Sequence, residues 1–257
     1  MTASQARNLD GPGTPEQDWQ AWPGLRELPV VDPRTAAGAG YPWADVVVVA
    51  PHPDDEVLGI GGTMALLAGA GVRITLISVT DGEASHPGSP TLSPDDLRRL
   101  RVDERENALA VLGLADIEVV RLRVPDGEVI EHENHVEHVL RDRLRPDSLC
   151  LAPWHHDGHP DHDATGRAAL AAAEPHACRL LAYPVWMWHW AEPGGTAVPW
   201  STMRAVPLGD ELAAAKRAAA AEFATQVGPL SAAAGDKAVL PGHILRRLLR
   251  DFEVVLA

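Results

Sequence analysis

Short runs of apolar residues alternate along the chain with longer stretches in which apolar residues recur at helical spacing. Residues 45–50 read DVVVVA, and such a continuous β-branched run is typical of a strand that is buried on both faces of a parallel sheet. Comparable runs predict four further strands, at residues 72–80, 117–124, 148–152 and 179–184. Helical patterns lie between these runs and after the last of them, at residues 63–69, 93–113, 131–144 and 210–226.

This alternation predicts an α/β fold with a Rossmann-like, mainly parallel sheet and helices on both faces. Residues 1–40 are rich in Pro, Gly and polar side chains without sustained periodicity, so we expect an irregular N-terminal leader. Residues 41–257 are predicted to form a single domain. The loops 51–56 and 153–162 each follow a predicted strand. Because the carboxyl ends of parallel strands lie at one edge of a sheet, we expect these two loops to meet.

The charge balance limits the classes of partner. The chain carries 22 Lys and Arg against 36 Asp and Glu, a formal net charge of -14, and such a field repels phosphate backbones and anionic lipid surfaces. We therefore expect no nucleic-acid partner, and no membrane insertion, since no apolar run reaches the length of a bilayer span. The N-terminus lacks a signal-peptide pattern, which predicts a cytoplasmic protein. Whether the chain forms a homo-oligomer stays open.

Histidine and aspartate side chains are concentrated in the two loops that should meet. His52 and Asp55 lie on the turn after the first strand, and His162 lies in the second loop. A catalytic zinc site usually has three protein ligands of His and carboxylate type and one position open to water. These three residues can supply such a set, so Zn²⁺ is the expected cofactor. Fe²⁺ stays an alternative, because ligand type alone discriminates poorly between these metals.

Two motifs resemble those of a known family. The sequence 51-PHPDDE-56 after the valine run, together with 159-HPDH-162, is similar to the motifs of the PIG-L/LmbE-like deacetylases. The resemblance covers about residues 43–184. It implies a Rossmann-like fold, a zinc-dependent N-deacetylase activity, and metal ligation by the three residues just named.

The same resemblance implies roles for other residues of these motifs. Asp54 matches the general base, and a carboxylate beside a metal ligand can accept a proton from a bound water, whose pKa zinc lowers to about 7. His159 matches the histidine that stabilises the oxyanion, for which we expect a positively charged partner. Asp161 is expected to orient an imidazole, as carboxylates beside metal sites do.

Substrate contacts are predicted on three further residues. Arg101 and Glu104, in 101-RVDE-104, match the R-x-x-E of the family, and Asp126 falls where relatives place an acid that contacts sugar. An exposed i,i+3 ion pair is the alternative for Arg101 and Glu104. Asp157 departs from the family pattern, since some thiol-pathway relatives have a tyrosine at this point, and its role stays open.

Other side chains near these loops have simpler interpretations. His155 and His156 are interpreted as solvated or hydrogen-bonded loop residues and not as ligands. Trp186, Trp188 and Trp190 alternate with period two. This spacing favours one packed face of a strand over a platform that stacks on sugar.

These features together predict a metal-dependent hydrolase. Its substrate would be an N-acetylglucosamine-like amino-sugar small molecule, from which metal-activated water removes the N-acetyl group. An amidase acting on another N-acyl or thiol-conjugate substrate is the first alternative. A non-haem iron(II) oxygenase is a more distant one, because two histidines and a carboxylate also form the ligand triad of those enzymes. The predicted α/β alternation and the extra carboxylate, Asp54, both argue against the oxygenase.

Overall fold

The computed structural model describes residues 7, 9, 11–35 and 43–257. Within these ranges a seven-stranded sheet has the strand order β3-β2-β1-β4-β5-β7-β6. Its strands are β1 (Asp45–Ala50), β2 (Arg73–Ser78), β3 (Glu118–Arg121), β4 (Ser148–Pro153), β5 (Arg179–Tyr183), β6 (Met203–Pro207) and β7 (Phe252–Leu256).

The sheet is parallel from β3 through β5, with β1 at its centre. β7 lies antiparallel to both β5 and β6. The predicted mainly parallel α/β fold is therefore confirmed. Neither β6 nor β7 is predicted from the sequence, because each is a short segment interrupted by a charged side chain, and its extended backbone depends on pairing with the other.

Helices cover both faces of the sheet. Val46 and Val48 of β1 pack in one core, whereas Val47 and Val49 pack in a second core on the opposite face. The helices in the described part of the chain are α1 (Glu16–Ala21), α2 (Pro23–Arg26), α3 (Asp55–Gly69), α4 (Pro94–Val111), α5 (Glu133–Arg143), α6 (Pro160–Ala173), α7 (Met187–Trp190), α8 (Gly209–Ala221), α9 (Ala224–Val227) and α10 (Gly242–Leu248). Helices α3, α4 and α8 pack together on the first core, and α5 packs against α6 on the second. No helix in this part of the chain is both long and apolar enough to cross a bilayer.

Two helix boundaries differ from the sequence prediction. Helix α3 begins at Asp55, well before the predicted start at residue 63. Its four glycines and the continuous burial of its first ten residues hide the helical period, since every residue from Asp55 to Met64 is buried. The predicted helix at 210–226 is broken between α8 and α9, where Phe223 has a non-helical ψ and is fully buried.

The described part of the N-terminal leader is more ordered than the sequence predicts. It contains helices α1 and α2, and Trp19 of α1 is fully buried, with its Nε1 donating to the Trp188 carbonyl at 3.1 Å. Trp188 itself lies in α7, so the period-two tryptophans form a helical turn and not a strand. Both local structures come from packing between segments far apart in the sequence, which a local pattern cannot reveal.

Candidate active site

The turn after β1 brings the first site residues to the carboxyl edge of the sheet. β1 ends at Ala50, and α3 begins at Asp55, so the chain reverses within four residues. Asp54 adopts φ 139° and ψ -30° at this turn. Such backbone strain costs on the order of 1–3 kcal/mol and persists only where the surroundings enforce it. Arg101 does so, since its Nη2 donates to both the Pro53 carbonyl and Asp54 Oδ2 at 2.9 Å.

Three buried side chains converge beside this turn. Asp55 Oδ2 lies 3.1 Å from His52 Nδ1 and 3.1 Å from His162 Nε2. Each residue thus offers one ligand atom, and these atoms lie within 4.8 Å of one another. His162 lies in the first turn of α6, after β4, so the two loops meet as the strand order requires.

Asp157 fixes which nitrogen of His162 faces the cluster. Asp157 Oδ2 lies 2.8 Å from His162 Nδ1, and its two oxygens also accept hydrogen bonds from three backbone N–H groups. A carboxylate engaged in this way can only accept from the ring, so Nδ1 carries the proton. Nε2 is buried and makes no well-aligned hydrogen bond in the described structure, although Asp55 Oδ2 lies 3.1 Å from it. Metalloenzymes use the same pairing of a carboxylate with histidine to direct the other ring nitrogen towards a metal ion.

His52 is oriented by two other carboxylates. Its Nε2 lies 3.1 Å from Asp126 Oδ1 and 3.2 Å from Asp161 Oδ2. Asp161 also accepts hydrogen bonds from the backbone N–H groups of Gly127 and Val129. A proton on Nε2 satisfies these carboxylates and leaves Nδ1 available as the ligand atom. Asp161 thus lies where the sequence predicts a carboxylate that orients an imidazole, and Asp126 lies beside it.

The donor set suits a divalent cation. A second group of residues, His52, His159 and Asp161, is also close enough to share an ion. Its free atoms are fewer, because Asp161 accepts two backbone N–H groups and His159 Nδ1 accepts the N–H of Asp161 at 3.2 Å. In the first group, by contrast, His162 Nε2 has no such commitment. Two imidazoles and a carboxylate with one orphaned nitrogen match the ligand chemistry of zinc.

The electrostatics of the cluster favour positive charge at its centre. Burial alone would raise the pKa of Asp55, but His162 and His52 outweigh it and hold that pKa well below its usual range. Burial alone would lower the pKa of His162, but Asp55 and Asp157 raise it to about 9. A cation bound among these groups would take the place of the protons that they otherwise attract.

Two neighbours of the cluster have strongly shifted pKa values. Burial raises the pKa of the Asp54 carboxyl to about 7, against the opposing effect of Arg101. Burial, together with His52 and His162, lowers the pKa of His159 to about 3. His159 is therefore neutral, and because its Nδ1 accepts a backbone N–H, its proton lies on Nε2. This lowered pKa favours a neutral imidazole that donates through Nε2, whereas the positive charge expected of His159 in the reaction stays a prediction.

The predicted substrate contacts are placed in three different ways. Arg101 lines the cavity, yet it already donates to Asp54, Pro53 and Gly82, and only its Nε lacks a partner. Asp126 lines the cavity and contacts His52. Glu104 does not line it, and both of its oxygens accept hydrogen bonds from Thr225. The alternative of an exposed ion pair between Arg101 and Glu104 is also wrong, since both side chains are buried.

The cavity over the cluster has a volume of about 210 Å³. His155 and His156 do not line it, in agreement with their exclusion as ligands. Trp186 does, and it stacks on His159 with ring centroids 6.2 Å apart. The sequence gives no signal for the remaining walls, which come from α3, α9 and several loops: Leu58, Ala84, Ser85, Val185, Gln226, Val239 and Leu240.

A His–Asp–His group at the carboxyl edge of a Rossmann-like sheet defines a class of α/β protein with a metal-type site. Within that class, residues 47–173 match the family model described as PIG-L: GlcNAc-PI de-N-acetylase. The chain is also 31% identical to "Probable N-acetyl-alpha-D-glucosaminyl L-malate deacetylase 2" of Bacillus anthracis, over 72% of this chain and 84% of that protein. The chain therefore belongs to the PIG-L family, and the resemblance inferred from its motifs is confirmed.

Other relatives agree at lower coverage. The chain is 32% identical to "1D-myo-inositol 2-acetamido-2-deoxy-alpha-D-glucopyranoside deacetylase 2" of Catenulispora acidiphila, over 54% of each chain. It thus spans about half the length of several curated relatives that it matches. The N,N'-diacetylchitobiose deacetylase of Pyrococcus horikoshii superposes with a TM-score of 0.54 at 21% identity, over 81% of this chain and 79% of that one. At this level of identity, the superposition shows a shared fold.

Proposed function

We propose that the chain is a zinc-dependent N-deacetylase that acts on N-acetylglucosamine-like amino-sugar small molecules. The observation that carries this proposal is the convergence of His52, Asp55 and His162 on one point, beside a cavity that Asp54 and His159 also line. The relatives support the substrate class, because the names of the proteins from B. anthracis and C. acidiphila both denote deacetylation of an N-acetylglucosamine unit.

His52 Nδ1, Asp55 Oδ2 and His162 Nε2 would hold the metal ion. Zinc bound there would act as a Lewis acid that polarises the acyl carbonyl and lowers the pKa of water. Asp157 positions His162, and Asp161 and Asp126 position His52. The protein thereby fixes the direction of each ligand before substrate binds.

Asp54 is proposed as the general base. Its carboxyl lies beside Asp55 in the cavity wall, and burial brings its pKa to about 7, close to the value that suits proton transfer at neutral pH. Arg101 holds the carboxyl in place through a hydrogen bond to Oδ2. Asp54 would take a proton from the attacking water and then deliver it to the departing amine.

His159 is proposed to stabilise the oxyanion as a neutral donor through Nε2. Its Nδ1 is fixed by the N–H of Asp161, and Trp186 stacks on its ring. Preorganised donors of this kind stabilise developing charge without reorganisation. For the substrate, Asp126 and the free Nε of Arg101 are the proposed polar contacts, since both residues line the cavity.

The proposed cellular compartment and partners of the enzyme rest on its charge and its free thiols. Cys150 and Cys178 are both free thiols, which suits the reducing cytoplasm. The net charge of -14 disfavours nucleic-acid and anionic membrane partners. Small molecules are therefore the proposed partners.

The decisive experiment follows acid release from a panel of N-acylated amino sugars by the zinc-loaded protein. We expect acetate from N-acetylglucosaminides. Release of a different acid, or hydrolysis of thiol conjugates alone, would instead favour the broader amidase. Oxygen consumption with iron(II) would favour the oxygenase.

The Asp54→Asn variant tests the proposed base. Loss of a general base typically costs about 10²–10⁴-fold in rate, and we expect the variant to lose turnover to this extent while it retains zinc. The zinc content, measured by atomic absorption, is the internal control. An unchanged rate would remove Asp54 from its proposed role.

A further inference from the structure

Gln226 contains a buried polar atom that the chemistry described so far does not use. Its side chain lines the cavity and is 1% exposed. Its Nε2 donates to Thr225 Oγ1 at 2.9 Å and to Ser85 Oγ at 3.4 Å, whereas its Oε1 has no hydrogen-bond partner in the described structure. Buried polar atoms are rarely left unpaired, so this oxygen calls for an explanation.

The orientation of the Gln226 amide follows from its neighbours. Glu104 accepts the Thr225 N–H and the Thr225 hydroxyl proton, both at 2.7 Å. A hydroxyl has a single proton, and that of Thr225 is given to the Glu104 carboxylate. Thr225 Oγ1 can therefore only accept from Gln226, which fixes the amide nitrogen towards Thr225 and leaves Oε1 free.

We propose that Gln226 is a substrate-recognition residue whose Oε1 accepts a hydrogen bond from a hydroxyl group of the amino sugar. Glu104 is a positioning residue that acts through Thr225. The assignment rests on the proposed function for the class of substrate. Gln226 belongs to a cavity wall outside residues 47–173, the part of the chain that matches the family model. The Leu240 N–H donates to the Gln226 carbonyl at 2.9 Å, which joins the residues of this wall.

The first test measures binding without turnover. Zinc-loaded Asp54→Asn protein is titrated by calorimetry with methyl N-acetylglucosaminide and with each of its three monodeoxy analogues. The second substitution, Gln226→Met, keeps the length of the side chain but cannot accept this hydrogen bond. It should lower the affinity for methyl N-acetylglucosaminide, the parent sugar, by about tenfold. It should leave unchanged the affinity for the one analogue that lacks the recognised hydroxyl.

Val239→Ala is the matched control from the same wall. Val239 lines the cavity through an apolar side chain, so its truncation should change the affinity for all four sugars by one common factor. A common factor for Gln226→Met as well, or no effect on the parent sugar, would overturn the assignment.

The outcomes separate this proposal from the function on which it rests. Acetate release by the wild type, with sugar binding that is insensitive to Gln226→Met, refutes the role of Gln226 alone. If neither binding nor acetate release is found with any N-acetylglucosaminide, both proposals fail.

A second test uses the direction of the hydrogen bonds. In Glu104→Gln the new amide can donate to Thr225 Oγ1, which frees the hydroxyl to donate to Gln226 and turns the Gln226 nitrogen towards the ligand. A fluorine in place of the recognised hydroxyl can accept but cannot donate. The protein with Glu104 should therefore bind the hydroxyl-bearing sugar about tenfold more tightly than its fluoro analogue. Glu104→Gln should reduce this difference in affinity. If Glu104 has a role in folding alone, Glu104→Gln would lower the affinity for both sugars equally and leave the preference for the hydroxyl-bearing sugar unchanged.

Discussion

Asp157→Asn should damage both the stability of the protein and its affinity for zinc. Asp157 is fully buried and accepts four hydrogen bonds. Oδ1 accepts the N–H groups of Val185 and Met187 at 2.9 and 2.8 Å. Oδ2 accepts the N–H of Trp186 at 2.9 Å and lies 2.8 Å from His162 Nδ1.

The magnitude follows from the count of donors. An asparagine keeps the shape of the side chain but presents one NH2 group, so two of the four donors lose their acceptor whichever way the amide lies. A buried donor without a partner costs about 1–3 kcal/mol, so the variant should lose about 2–6 kcal/mol of stability. If the NH2 group faces His162, the ring loses the acceptor that keeps its proton on Nδ1, and loss of such a partner typically weakens metal binding about 10–100-fold.

Urea denaturation and zinc titration against a competing chelator measure the two effects. Asp163→Asn is the control, because Asp163 is also buried near the start of α6 but accepts only the Gly158 N–H, at 2.9 Å. The oxygen of the new amide can still accept this N–H, so the variant should lose less than about 1 kcal/mol and keep wild-type zinc affinity. Asp157→Leu removes the acceptor for His162 in every orientation, so wild-type zinc affinity in that variant would refute the claim that Asp157 directs His162 towards the metal.

Three further predictions concern the metal and the residues that support the site. If the free zinc concentration is 100 times the Kd for zinc, removing the zinc with a chelator should lower the stability of the protein by about 2.7 kcal/mol. Calorimetry should show this loss as a lower Tm, and an unchanged Tm would contradict zinc binding by the folded state. Lys216→Met should lower the free energy of unfolding, measured by urea denaturation, by about 3–5 kcal/mol, because it leaves the buried Glu253 carboxylate without its positively charged partner. In the control variant Lys237→Met, the replaced lysine is exposed, so stability should change by less than about 0.5 kcal/mol. Gly82→Ala should lower kcat but not zinc content. Gly82 has φ +71°, and a Cβ there would lie 2.1 Å from Arg101 Nη1, so the substitution should displace Arg101 from Asp54. A normal kcat would show that Arg101 tolerates this displacement.

The parts of the site that could be predicted from sequence are those encoded within a few residues. His52, Asp54 and Asp55 follow a buried strand directly, and any parallel sheet places such a turn at its carboxyl edge. His162 is found for the same reason, as part of the loop after β4. Their convergence required only the correct fold class.

The parts that were missed depend on contacts between distant segments. The role of Asp157 is set by three N–H groups at residues 185–187, and that of Glu104 by Thr225, more than a hundred positions away. The charge of His159 depends on burial and on two neighbouring histidines. A signal for Asp157 does exist, since an acid five residues before a ligand histidine in the same loop is a candidate to orient its ring.

The last strand of the sheet also supports the site through α3. This helix is kinked at Ile60, and Glu253 of β7 accepts the N–H groups of Gly62 and Thr63 just beyond the kink, at 2.8 and 2.7 Å. Lys216 of α8 pairs with the same carboxylate at 2.7 Å. The first turn of α3, which carries Asp55, is thus held at both ends: Arg101 binds the residues that precede it, and Glu253 caps the helical segment that follows the kink. A buried ion pair contributes little net stability, so its effect here is better understood as fixing the direction of that first turn, and with it the position of one metal ligand.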